Sequence, residues 1–462
     1  MGKSHFMRLH FIAIGGSAMH NLAIAMARKG HQVTGSDDEI FEPSRSRLES
    51  YGLLPAKQGW DVTSITHGLD AIILGMHAKA DNPELLTARE MGLKIYSYPE
   101  FLYELSKEKK RVVVGGSHGK TTITAMILHV LKEQGMDCDY LVGAQLEGFD
   151  VMVRLSEAAP IMIFEGDEYL TSPIDPRPKF HLYKPDLALL SGIAWDHINV
   201  FPTYEQYVEQ FRIFIRLITP GGTLVYCAED KELQRICQEI REDITLIPYS
   251  LPPFAIEDGQ TYIGCDDQLY PIQLFGHHNL LNLEGARNIC DQLGIRNVDF
   301  YTAIGSFKGA AKRLEVLASN GQTTVFRDFA HAPSKTAATL NAVREQYKNS
   351  KVIACLELHT YSSLSREFLT HYRGTLDAAD VALVYFNPHA LMLKRLPDLT
   401  PESVKEGFAN EKIEVYNDSG LLRKRLLREG SHNSVFLMMS SGDYDGLDLP
   451  KLSEQLLASS IH

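Results

Sequence analysis

Val112-Val113-Val114-Gly115-Gly116-Ser117-His118-Gly119-Lys120-Thr121-Thr122 decides how the rest of the chain is read. A β-branched run suits a buried strand. Behind it the apolar residues Ile123, Met126, Ile127, Val130 and Leu131 recur at helical spacing. The residues between are therefore a loop that joins a strand to a helix start. Glycines there let backbone N–H groups crowd around phosphate oxygens, and the helix start adds partial positive charge. Lys120 can reach β- and γ-phosphates, and a threonine hydroxyl can ligate Mg²⁺. The full eight-residue phosphate-loop pattern asks for a glycine where Val114 or Gly115 stands, so the match is incomplete. An ordinary glycine-rich turn has no need of Gly119-Lys120-Thr121, and a nucleoside-triphosphate site is implied. A loop lysine adds little to a core, so Lys120→Ala is expected to abolish turnover and leave the fold intact.

The 462 residues exceed what one core organises and suggest several domains. A formal net charge of −12 argues against a nucleic-acid binder, whose affinity comes from Lys and Arg on phosphates. The six cysteines are scattered, with no Cys-x-x-Cys pair, so reduced and mostly buried thiols of a cytoplasmic protein are expected. The start reads directly into a strand, so no signal peptide is expected, and no apolar run is long enough to span a bilayer.

Upstream, residues 7–14 read as a buried strand, followed by Gly15-Gly16-Ser17-Ala18-Met19, a helix over about 21–29 and a strand Gln32-Val33-Thr34-Gly35 ending at Ser36-Asp37-Asp38. This βαβ pattern carries an acid about twenty residues after its glycines, an arrangement used to hold ribose. Ala13, Gly15 and Ala18 stand at the three glycine places of the dinucleotide fingerprint, which weakens a nicotinamide reading. Ala71 to Met76 is a further strand, and a polar run at 107–111 marks a boundary. Past the phosphate loop, a strand over 161–164 runs into Glu165-Gly166-Asp167-Glu168, and one over 187–193 into Asp196-His197. Acids and imidazole beside a triphosphate loop suit a hydrated Mg²⁺. Gly276-His277-His278-Asn279-Leu280-Leu281-Asn282 opens a helix, where Asn and His can cap or meet a purine edge. After a hinge near 309–315, strands at 323–326, 352–356, 381–385 and 435–439 alternate with helices and indicate another doubly wound sheet.

The order of these pieces resembles the Mur ligase family, ATP-dependent amide-forming enzymes of peptidoglycan metabolism, over essentially the whole chain. The resemblance rests on Ile14-Gly15-Gly16-Ser17-Ala18-Met19, Gly35-Ser36-Asp37, Gly116 to Thr122, Glu165-x-Asp167-Glu168, Asp196-His197, His278-Asn279-x-x-Asn282, Lys312-Arg313-Leu314-Glu315 and Asp328-Phe329-Ala330-His331-x-Pro333. It implies an α/β fold of three domains. These are an N-terminal Rossmann-like domain over 1–108 for a UDP-sugar, a central phosphate-loop ATPase-like domain over 109–314, and a C-terminal Rossmann-like domain over 315–462 that binds the incoming peptide and closes on ATP. The first-domain pattern is similar to the branch that takes free UDP-N-acetylmuramate. Residues 168–183 are longer than in members that add L-alanine. They look like those of members that add the tripeptide L-Ala-γ-D-Glu-meso-diaminopimelate in cell-wall recycling, with L-alanine as the alternative acceptor. Ala332 stands where members usually carry a second histidine, and Phe211 or Arg212 where others carry a carbamoylated lysine.

The family implies that the sugar-borne carboxylate is phosphorylated by ATP, and that an amine then displaces phosphate from the acyl phosphate. On this resemblance Lys120, Glu165, His197, Arg313 and His331 are the catalytic set. Gly116, Ser117, His118, Gly119, Lys120, Thr121 and Thr122, with His278, Asn279, Asn282, Arg313 and Asp328, bind ATP. Thr121, Glu165 and His197 hold Mg²⁺. Gly15, Gly16, Ser17, Ala18, Met19, Ser36 and Asp37 take the UDP-sugar, and His359 serves the acceptor. His331 and His359 are both open as the base for the attacking amine. Neither nucleic acid nor membrane is an expected partner, and a monomer or weak homodimer is expected. A nicotinamide oxidoreductase and a nucleotide-binding switch without chemistry are the rival classes; the first leaves Gly119-Lys120-Thr121 unexplained, and Ala332 alone favours the second.

Overall fold

The computed structural model describes residues 6–146, 148–149, 151–195, 200–257, 260–309, 314–429 and 433–458. They form two compact units, residues 1–250 with 281–304, and residues 251–280 with 305–462. The helix His277–Gln292 belongs to both, its first four residues to the second unit.

The first unit holds two sheets. Strands β1 (Arg8–Ile12), β2 (Gln32–Ser36), β3 (Ala71–Leu74) and β4 (Ile95–Ser97) make a parallel sheet in the order β2-β1-β3-β4. The helix expected from about residue 21 begins earlier, at Ser17, because the Gly16 carbonyl already accepts from the His20 N–H at 2.9 Å. The helix thus starts on the glycine turn itself, which brings its positive end to that turn.

The second sheet comprises β5 (Lys110–Gly115), β6 (Cys138–Leu141), β7 (Val153–Arg154) and β8 (Ile161–Glu165). A hairpin of β9 (Leu170–Ser172) and β10 (Asp175–Pro178) stands apart from it, and β11 (Leu187–Leu190), β12 (Thr223–Cys227) and β13 (Thr245–Tyr249) complete it. Its order is β13-β12-β11-β5-β8-β6-β7, parallel except for β7. Val112, Val113 and Val114 on β5, between β8 and β11, are fully buried, as a β-branched run in a two-sided sheet should be. The strand expected over 187–193 stops at Leu190, since Gly192 adopts φ +151 and turns the chain away. A buried arginine ties the two sheets' segments together. Arg111 donates to the Ser106 and Lys107 carbonyls at the end of the helix Tyr98–Ser106 (3.4 and 3.0 Å), and to Asp186 at 3.2 Å.

In the second unit, β14 (Phe254–Glu257), β15 (Gln260–Cys265) and β16 (Gln268–Ile272) form an antiparallel sheet. Strands β17 (Glu315–Ser319), β18 (Thr323–Asp328), β19 (Lys351–Leu358), β20 (Val381–Phe386), β21 (Glu414–Tyr416) and β22 (Ser434–Met439) form a six-stranded sheet in the order β17-β18-β22-β19-β20-β21. It is parallel, as the alternation predicts, except for β17, an antiparallel edge. Apolar clusters cover both of its faces, one around Leu356, Leu369 and Leu437, the other around Phe436, Met438 and Leu452. All six cysteines are free thiols and five are buried. Among the described residues no helix is long and apolar enough to cross a membrane.

Candidate active site

The phosphate loop takes the conformation that its glycines permit. Gly116 has φ +122 and Gly119 φ +79, and Gly119 is the residue before the helix Lys120–Glu133. Both glycines are also needed for space. A Cβ on Gly116 would lie 2.1 Å from Ser191 Oγ, and one on Gly119 2.2 Å from Asn282 Oδ1. Asn282, expected at the adenine, thus packs on the loop that would hold the phosphates.

Lys120 is not an exposed loop lysine. Its Nζ donates to the Gly116 carbonyl at 2.6 Å and to Glu168 Oε2 at 2.7 Å, and the Glu168 side chain is 1 % exposed. Burial works against the ammonium, but the carboxylates of Glu168, Asp167 and Glu165 outweigh it and hold its pKa above the ordinary value. Glu168 also accepts from Tyr207 Oη at 3.2 Å. That hydroxyl bonds Ser117 Oγ at 2.8 Å, which itself accepts the Ala194 N–H at 2.9 Å. The buried network locks the loop to the ends of β8 and β11. His118 Nδ1 bonds the Ser117 carbonyl at 2.7 Å, and Thr122 is buried in the first helical turn.

Thr121 Oγ1 donates to Glu165 Oε1 at 2.7 Å, and the Gly143 N–H donates to Glu165 Oε2 at 2.7 Å. Of the acids Glu165, Asp167 and Glu168 at the end of β8, two are engaged by lysines. Glu168 holds Lys120, and Asp167 accepts from Lys179 Nζ at 2.5 Å. Burial would raise the Asp167 pKa, but Lys179 and then Lys120 hold it below its ordinary value. The metal set that the resemblance implies, Thr121, Glu165 and His197, includes neither Asp167 nor Glu168, and ammonium groups already neutralise both of these carboxylates. No cluster of three His, Cys, Asp or Glu side chains able to hold a metal occurs among the described residues. Asp196, His197 and Arg313 lie outside the described residues.

A cavity of about 520 Å³ joins the two expected halves of the site within the first unit. Its lining includes Gly16, Ser17, Ala18 and Met19, with Met76 and His77, together with Lys120, Glu165, Asp167, Tyr169 and Lys179. Of the other residues expected at the UDP-sugar, Asp37 accepts the Gly15 N–H at 2.7 Å and so braces the turn. Burial pushes its carboxyl up to about 6, partly offset by that hydrogen bond. The Ser36 hydroxyl donates to the buried Glu84, whose Oε2 lies 3.4 Å from His10 Nε2.

In the second unit, Asn279 does not cap its helix: its Nδ2 donates to the Phe275 carbonyl at 3.0 Å. Burial lowers the His278 pKa, with Asp328 opposing the shift and His277 adding to it. Asp328 accepts the N–H groups of Leu314 and Ala330, each at 2.7 Å, and so binds two loops together. His331 Nδ1 bonds the Phe329 carbonyl at 2.8 Å. His359 Nδ1 lies 3.7 Å from the buried Glu357. Ala332 precedes the helix Pro333–Gln346 without a side-chain cap.

Sequence reasoning did not single out Lys179, Tyr169, Met76 or His77 as site residues. The signal for Lys179 was present in the extended segment 168–183, which reads as a family distinction and not as cavity wall.

Three family profiles match the chain in order: Mur ligase family, catalytic domain, over 8–110; Mur ligase middle domain over 114–290; and Mur ligase, glutamate ligase domain, over 312–442. The chain belongs to the Mur ligase family. It is accordingly an ATP-dependent ligase that forms amide bonds, with the three-domain α/β architecture of that family. It is 31% identical to a UDP-N-acetylmuramate–L-alanine ligase of Paenarthrobacter aurescens over 96% of each chain. It is 28% identical to a UDP-N-acetylmuramate–L-alanyl-gamma-D-glutamyl-meso-2,6-diaminoheptandioate ligase of Haemophilus influenzae over 95% of this chain and 97% of the relative. It shares the fold of a murein peptide ligase from Psychrobacter arcticus (TM-score 0.64, 22% identity, 98% of each chain). The same holds for a UDP-N-acetylmuramate-alanine ligase from Thermotoga maritima (TM-score 0.68, 20% identity, 98% of each chain).

Proposed function

We propose that this Mur ligase joins the lactyl carboxylate of UDP-N-acetylmuramate to the amine of L-Ala-γ-D-Glu-meso-diaminopimelate, as a cytoplasmic step of peptidoglycan recycling. The observation that carries the reading is the cavity that the Gly16–Met19 turn lines together with Lys120 and Glu165. A diphosphate at the start of the helix Ser17–Arg28 would meet its positive end. The sugar would then lie toward the phosphate loop. A carboxylate oxygen attacks the γ-phosphorus and ADP leaves; the amine attacks the resulting acyl carbon, phosphate leaves, and a base takes the amine proton.

The barrier is the meeting of two anions, so positioning and charge neutralisation do most of the work. An ammonium has three N–H donors. Lys120 uses two, on Gly116 and Glu168, which leaves one for a phosphate oxygen. Thr121 and Glu165 present adjacent hard oxygens, which fit Mg²⁺. They would hold it with His197, and once bound the ion would neutralise phosphate charge. His331 and His359 are assigned to the incoming amine.

The tripeptide is preferred as acceptor on residues 168–183, which fold into the β9–β10 hairpin and the turn Lys179–Leu182. L-Alanine remains a second reading because relatives with that activity are as similar to this chain as the tripeptide ligase. Purified protein with ATP and UDP-N-acetylmuramate is expected to release phosphate with the tripeptide and far less with L-alanine. The reverse ranking would reassign the acceptor, and no phosphate release with either would remove the reading.

A further inference from the structure

Lys179 is built into the cavity wall from several directions. Its N–H donates to the Tyr169 carbonyl at 3.0 Å, and the next N–H, of Phe180, donates to the Asp167 carbonyl at 3.1 Å. Phe180 is fully buried and stacks on Phe214 at 4.6 Å, while Tyr183 stacks on Phe164 of β8 at 4.1 Å. The turn is therefore pinned to the acidic loop by backbone bonds and to the core by two rings. The ammonium lies 5.9 Å from the Tyr98 ring centroid and 5.7 Å from that of Tyr169. It bonds one oxygen of Asp167, a side chain that is still 38% exposed.

A pair whose only task was to hold the hairpin could be sealed away. This one faces the same cavity as Lys120 and Glu165. Among the described lining residues, Lys120 and Lys179 are the two ammonium groups. The proposed reaction brings two anions into this space, a triphosphate and a sugar-borne carboxylate. Lys120 stands in the phosphate loop and has most of its donors engaged. A carboxylate entering beside it needs its own cation, since desolvating an unpaired carboxylate is costly. We propose that Lys179 is that cation: it receives the lactyl carboxylate of the sugar nucleotide and orients it for attack, with Asp167 and the two tyrosines fixing the ammonium between turnovers. The inference rests on the functional reading above and adds a residue to it.

Binding of two nucleotides tests it by calorimetry: UDP-N-acetylmuramate and UDP-N-acetylglucosamine, which is the same sugar nucleotide without the lactyl group. Wild-type protein should prefer the carboxylate-bearing ligand by about 10- to 100-fold, the usual effect of one charge-assisted hydrogen bond. Lys179→Met, which keeps most of the stem, should bind both within about twofold of each other. Lys179→Arg should recover part of the preference. ATP affinity of the Met variant should be unchanged, which a collapsed site would not allow. If the Met variant unfolds, Asp167→Asn with Lys179→Met removes the unpaired carboxylate and is read in the same way. A Met variant that keeps the wild-type preference, or that loses both ligands equally, overturns the assignment of Lys179. A wild-type protein that binds neither nucleotide overturns the functional reading, and the inference with it.

Discussion

Asn282 Oδ1 stands where a side chain on Gly119 would begin: a Cβ there would approach it to 2.2 Å. Gly119 also has φ +79, a conformation that costs other residues about 1–2 kcal/mol. Two independent constraints thus fall on one glycine. Gly119→Ala is expected to lose ATP binding and to lower the unfolding free energy by about 1–3 kcal/mol. Adding Asn282→Ala removes the collision but not the strain, so the double variant should regain only part of the stability. Denaturant unfolding with ATP titration checks both; a full rescue by Asn282→Ala would show that the backbone angle carries no cost.

Lys120→Ala should cost more than activity. The sequence suggested an exposed lysine whose removal the fold would ignore, whereas the structure pairs it with Glu168, which is almost wholly buried. Removing the ammonium leaves the buried Glu168 charge without its cation, and such a change costs about 3–5 kcal/mol. The variant is expected to lose ligation by at least about a thousandfold and to unfold at lower denaturant. Lys120→Ala with Glu168→Gln should recover most of the stability and none of the activity. Equal stability of the single variant and wild type would mean that the Glu168 charge does not depend on Lys120 for its stability.

How much of this was legible depended on whether a feature is local in sequence. The phosphate loop, its strand and its helix were readable because β-branched runs, glycines and helical spacing act over a few residues. The glycine turn at 15–19 and the parallel sheets followed for the same reason. Asp167 and Lys179 lie twelve residues apart on opposite sides of a hairpin, and only the fold brings their charges to 2.5 Å. Nor could spacing show that Glu168 would face Lys120 while Glu165 faces Thr121, since both follow the same strand. The antiparallel strands over 254–272 escaped notice because short polar-interrupted runs resemble loop. The second unit's histidines could be named from the motif order, but their surroundings come from strand ends far apart in the chain.

Glu165→Gln isolates the metal from the fold. The amide keeps an oxygen for Thr121 or Gly143, so the loop should hold its shape, while the charge that favours a divalent cation is gone. The concentration of free Mg²⁺ giving half-maximal phosphate release should rise by about tenfold or more, with a thermal midpoint within a few degrees of wild type. Chelation should silence the wild-type enzyme reversibly. An unchanged Mg²⁺ dependence in the variant would remove Glu165 from the metal site.

Asp37 gives the first domain a pH signature. Its carboxyl is buried beneath the glycine turn, accepts the Gly15 N–H, and is pushed up to about 6, chiefly by burial. Folding thus favours its protonated form. Its contribution is most favourable at pH below the unfolded carboxyl value and is lost as pH rises through about 6. The loss amounts to about 3 kcal/mol at most, set by the distance between folded and unfolded values. Asp37→Asn presents an uncharged side chain that can still accept the Gly15 N–H. It is therefore expected to melt above wild type at pH 7.5, with the gap closing as the pH is lowered to 4.5. Asp38, whose charge and side chain add to the Asp37 shift, belongs to the same signature, while acids remote from Asp37 titrate alike in both proteins and cancel in the difference. Thermal midpoints of the pair across that range decide it: a gap that does not change with pH, or a less stable Asn variant at pH 7.5, would show that the carboxylate is charged and favourable where it lies.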